Sequence, residues 1–143
     1  MVTNTGAIRK ASVLSALVLS FLANGQKLSQ AFQSTPNAVM NELFRAAKDS
    51  DYSNLHFLCP PLGGNDGDTQ SICEIAKASP EKKAEFKAQF ENGYLRGDIR
   101  YFYRGRRKFA KVPFWFNHPR GPDRSNEEML MVKWKRKWYL GSF

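Results

Sequence analysis

At Leu95 the spacing of apolar residues changes from three and four to two, which confines the chain to helices first and an antiparallel sheet afterwards. Before that point, Val39, Met40, Leu43, Phe44 and Ala47 recur at helical steps. They follow Thr35-Pro36, a capping residue and then the residue favoured at the first helical position, and predict a helix over about 37–48. Ser79-Pro80 opens another helix in the same way, with Glu81 in the first turn, where the helix dipole favours an acid. Phe86, Phe90 and Tyr94 fall four apart as one stripe, and Asn92-Gly93 supplies the stop. Between these helices, 51–59 reads either as a short helix or as a turn. The stretch 59–70, "CPPLGGNDGDTQ", reads as loop, because paired prolines and repeated Gly and Asp are turn chemistry.

After the change of period, Leu95, Ile99, Tyr101 and Tyr103 alternate with Arg96, Asp98 and Arg100. "RGRRK", 104–108, turns the chain into a strand whose Ala110, Val112, Phe114 and Phe116 share a face. Pro113 cannot donate to a ladder and predicts an edge or a bulge there. A Pro/Gly loop over 117–126 leads to a final hairpin: Leu130, Val132 and Trp134 alternate with Met129, Met131, Lys133 and Lys135, and then Trp138 and Leu140 with Tyr139. Its turn falls at Lys135-Arg136. A two-residue hairpin turn needs positive φ at both central residues, which Lys and Arg adopt poorly, so a longer or bulged turn is expected.

Arg9 and Lys10 precede thirteen uncharged residues, 11–23, and Ala23 and Gly25 place a cleavage before Gln26. This predicts a secretory signal over 1–25, with an uncleaved anchor or an organellar transit peptide as alternatives. The run falls short of the roughly 20 apolar residues of a membrane span. Residues 26–35 read as a flexible lead-in and 36–143 as a single domain, enough chain for one core and too little for two. The expected location is secreted or periplasmic, with no transmembrane span in the mature chain. There Cys59 and Cys73 would form a disulfide, the alternative being two unrelated buried thiols. No metal or cofactor is expected: His56 and His118 lack zinc-motif spacing, and the Asn65–Asp68 stretch lacks the closing glutamate of a calcium loop.

Met131, Val132, Lys133, Lys137, Trp138, Tyr139 and Leu140, placed after the helices and earlier strands, resemble the closing hairpin of the NTF2-like, or cystatin-like, superfamily, particularly its small secreted bacterial members. The resemblance covers about residues 36–143 and departs from the family pattern at Lys135-Arg136, where Asp-Gly or Asn-Gly is usual. It implies an α+β cone, with N-terminal helices packed on a curved antiparallel sheet. That cone hosts isomerases, dehydratases, ligand carriers and interaction modules.

By parity and helical phase, Phe44, Phe86, Phe90, Tyr101, Val112, Phe114 and Trp138 face into the cone, where they either line a ligand site or fill the space. The leading expectation is a non-enzymatic module that holds a small apolar ligand or a protein partner, with a homodimer as one possible assembly. An isomerase or dehydratase would draw on Asp98 with Tyr101 and Tyr103, although Asp98 is out of phase with the tyrosines. His118 beside Arg120, and Asp49 and Asp51 at a helix end, read as surface or turn residues.

Charge is divided unevenly. Residues 95–143 hold thirteen Lys or Arg against four Asp or Glu, whereas residues 26–94 hold seven against nine. The basic surface is assigned to Arg100, Lys111, Lys133, Lys135, Arg136 and Lys137, with Arg100, Lys111 and Lys133 on one broad face if they share an outer parity. Such a field suits anionic polymers or lipid head groups, giving weak, salt-sensitive contact. Export argues against a specific nucleic-acid partner.

Overall fold

The computed structural model describes residues 31–143. The signal over 1–25, its cleavage before Gln26 and the first half of the lead-in lie outside the described residues.

Helix α1 (Pro36–Asp49) begins where the Thr35 hydroxyl accepts a hydrogen bond from the Ala38 N–H. It ends at Ser50, held at φ 51°, whose N–H donates to the Ala46 and Ala47 carbonyls. Lys87 from a later helix completes this end by donating its ammonium to the Ala47 and Lys48 carbonyls. The segment 51–59, ambiguous in sequence, contains one 3-10 turn, Leu55–Leu58.

Part of the stretch expected to be loop is helical. Helix α2 (Gly67–Cys73) is started by Asp66, whose carboxylate accepts from the Thr69 N–H. A residue read as turn chemistry therefore acts as a helix cap, a role the same side chain serves equally well. Helix α3 (Pro80–Phe90) is capped by Ser79 and stops before Tyr94. Only Phe86 and Phe90 of the expected stripe are buried; Tyr94 lies on a strand, half exposed, stacked on Trp115. Glycine is required just beyond this end, because a methyl group on Gly93 would lie 2.3 Å from the Phe44 ring.

Five antiparallel strands follow: β1 (Tyr94–Leu95), β2 (Arg100–Arg104), β3 (Arg107–Trp115), β4 (Asn126–Trp134) and β5 (Lys137–Ser142). Both β1 and β2 pair with one side of β3, β4 with its other side, and β5 with β4. The fold is α+β, three helices packed on a curved, unclosed antiparallel sheet. Pro113 faces the interruption between β1 and β2. Its carbonyl accepts from the Arg96 N–H, so its donorless nitrogen points into the gap.

Ala110, Val112 and Phe114 of β3, Met129 and Met131 of β4, and Trp138 and Leu140 of β5 form the inner face, all buried. The helices supply Val39, Met40, Leu43 and Phe44 against it. The outer face carries Arg100, Phe102, Phe109, Lys111, Leu130, Val132, Trp134 and Tyr139 by register. Tyr139 is buried even so, and burial raises the pKa of its phenol.

The final turn corrects the expectation of a longer or bulged connection. Trp134 pairs directly with Lys137, leaving Lys135 and Arg136 as a two-residue turn at φ 45° and 67°. The aromatic and β-branched pairing of β4 with β5 holds both residues in the left-handed region despite a cost of about 1–2 kcal/mol each. Substituting Lys135→Asn with Arg136→Gly should therefore raise the unfolding free energy by about 1–2 kcal/mol in urea titration. An unchanged or lower value would show that the turn is not strained.

Candidate functional site: the cationic end of the sheet

In a β2–β3–β4–β5 meander the first and third turns lie at the same end of the sheet. "RGRRK" (104–108) surrounds the β2–β3 turn, where Arg104 pairs with Arg107 and Gly105 takes the positive φ. "KWKRK" (133–137) surrounds the β4–β5 turn. Each segment contains four cations and no acid, so the topology gathers eight positive charges at one end.

Four of the eight, Arg104, Lys108, Lys133 and Lys135, lie over aromatic rings. All six cation–π contacts among the described residues belong to this end. The Arg104 guanidinium lies over Phe102 and Phe109, 5.4 and 5.6 Å from their centroids, and the two rings stack on each other. Lys108 lies over Tyr101 and Tyr103, at 4.8 and 6.0 Å. Lys133 lies over Trp138 at 5.8 Å, and Lys135 over Trp134 at 4.5 Å. The rings support the apolar stems and leave the charged heads in water, which fixes their spacing.

A third segment reaches the same end. Pro60–Gly64 forms a groove of about 200 Å³ with Arg107, Val132, Lys133 and Trp134. An adjoining cleft of about 320 Å³ runs toward Phe109, Leu130 and Asn65. The segment is tied at both ends. Cys59 is disulfide-bonded to Cys73, and the Asp66 N–H donates to the Gly141 carbonyl at 2.8 Å. The Asp66 carboxylate also accepts from the Phe143 N–H. At the tip, Leu62 is 75% exposed.

Lys133, Lys135, Arg136 and Lys137, assigned to the basic surface from sequence, are part of this end. Arg100 and Lys111 are cross-strand partners further down the outer face, where Arg100 pairs with Glu128. Lys133 is not on their face: Lys111 sits opposite Leu130, and one further step of parity puts Lys133 inside, opposite Trp138. Charge imbalance alone does not bring Arg104, Arg106, Arg107 and Lys108 into this end; the signal that places them is the alternation of turns in a meander.

Of the cone residues, Phe44, Val112, Phe114 and Trp138 are buried in the core. Phe86 and Phe90, with Ile72, Ile75 and Phe143, floor an open cleft of about 550 Å³ between α2 and α3. Tyr101 is on the inner face, half exposed, 5.8 Å from Trp138.

Asp98 is exposed. His118 accepts from the Arg120 N–H within its loop, and His56 packs on Phe57. The buried carboxylate of Glu42 is held by Arg45 and Asn54, and Arg45 extends to Asp49 and Asp51. The hydrogen bond to Glu42 raises the Arg45 pKa, and hydrogen bonds from Ser53 lower that of Asp51. Among the described residues no cluster of three or more metal-ligating side chains occurs, and no helix is long and apolar enough to cross a membrane.

The fold and this end define an α+β domain with a cationic-aromatic tip. No family model, curated protein or solved structure matches the chain.

Proposed function

We propose that the chain is a secreted or periplasmic, non-enzymatic binding module of the NTF2-like type, docking on anionic surfaces through the cationic end of its sheet. The observation that carries this reading is the convergence of "RGRRK" and "KWKRK", acid-free and with four of their eight cations over aromatic rings. The Cys59–Cys73 disulfide is compatible with an oxidising compartment. At physiological salt such charges act only within about 8 Å, so the contact is direct and salt-sensitive.

The turn variant Lys135→Asn with Arg136→Gly separates binding from stability. It should elute from a sulfated-polymer matrix at lower salt than the parent while being the more stable protein. Unchanged retention would overturn the reading, and tight, sequence-dependent binding to an oligonucleotide would replace it.

The cleft between α2 and α3 favours a second reading, a small apolar ligand, because about 550 Å³ over Phe86, Phe90 and Phe143 falls within the size range of ligand sites. Saturable uptake of an apolar fluorophore, abolished by Ala78→Trp at the rim, would support it. Uptake that survives the block would exclude the cleft as the site.

A further inference from the structure

Resting on the reading above, we infer that the anionic partner is a lipid bilayer surface and that the Leu62 tip enters it. A polyanion in water needs only the charges, yet this end also displays apolar groups. Of the five large hydrophobic side chains exposed among the described residues, three stand at or beside it: Leu62, Tyr101 and Tyr103.

The arrangement follows the division of an interfacial site. Lys and Arg heads meet phosphate groups, tyrosine rings sit at head-group level, and one aliphatic side chain reaches the acyl boundary. A sulfated glycan has no apolar interior to receive Leu62, and the exported location argues against a nucleic acid. The segment that presents Leu62 is already ordered by the Cys59–Cys73 bond and by the tie from Asp66 to Gly141, so little chain freedom is lost on contact. Trp134, lining the groove beside Leu62 under Lys135, lies where it would report entry.

The experiment is co-sedimentation of the exported, oxidised protein with vesicles of phosphatidylcholine alone or mixed with phosphatidylglycerol, alongside retention on the sulfated-polymer matrix. The parent should bind the anionic vesicles, with a blue shift of tryptophan emission that Trp134→Phe removes, and should leave neutral vesicles unbound. Leu62→Ser should lower partition to anionic vesicles about tenfold, the scale of one leucine side chain leaving an apolar phase, and leave polymer retention unchanged. Leu62 is exposed, and an unchanged near-ultraviolet circular dichroism spectrum confirms that the variant is folded. Retention on polymer without vesicle binding, or a Leu62→Ser variant that binds vesicles like the parent, overturns the lipid inference and leaves the anionic-surface reading standing. A parent that binds neither polymer nor vesicles overturns both.

Discussion

Phe114→Ala should remove about 3–5 kcal/mol of stability, the range for deleting a fully buried phenylalanine. Phe114 is 0% exposed, and its ring meets those of Phe44, Phe116 and Phe143 at 5.5–6.3 Å. It projects from β3, paired on both sides at this level by Leu95 and Glu127, so the backbone cannot close on the void. A domain with a total stability of about 5–15 kcal/mol would lose a large fraction of it. Guanidinium unfolding measures the loss. A change below about 1 kcal/mol would mean that the aromatic cluster is not packed as described, because partial relaxation of so enclosed a site does not recover that much.

The second large effect belongs to the disulfide. Cys59 and Cys73 are 14 residues apart, and closing a loop of about 15 residues stabilises by about 3 kcal/mol through the entropy of the unfolded chain. Replacing both cysteines with serine should lower the unfolding free energy by about that amount. It should also release one of the two ties on the Leu62 segment, so vesicle binding should fall while polymer retention at the turns persists. Equal stability of the oxidised and double-serine proteins would refute the first expectation. Unchanged vesicle binding would show that Asp66 alone positions the tip.

The parts of the fold legible in sequence are those where a local signal has one meaning. Thr35-Pro36 and Ser79-Pro80 start helices, and a strict alternation such as Ala110, Val112, Phe114 and Phe116 permits only one buried face. Signals with two meanings failed. Asp66 serves a turn and a helix cap equally well, and in β4 both alternating sets are apolar near Met131, so parity alone does not say that the methionines point inward. Tyr94 keeps the four-residue spacing of Phe86 and Phe90, but Asn92-Gly93 ends the helix before it, and Tyr94 enters the sheet opposite Trp115. The site was half legible for the same reason. The charge imbalance was visible, but the meeting of residues 104–108, 133–137 and 60–64 depends on pairings that join distant parts of the chain.

The two borders of the sheet also bear on how concentrated solutions of this protein behave. β5 is covered along its free side, where the Trp138 N–H donates to the Gln33 carbonyl and the Gly141 carbonyl accepts from Asp66. β2 pairs only with β3 among the described strands, and its Tyr101-Phe102-Tyr103 centre is the kind of short aromatic segment that templates intermolecular strands. Arg104 closes one end of that centre with a charge that repels its counterpart on another copy and opposes edge-to-edge stacking, while Arg100 at the other end is paired with Glu128. Neutralising Arg104, or screening it with high salt, should weaken the protection of this border against edge-to-edge association.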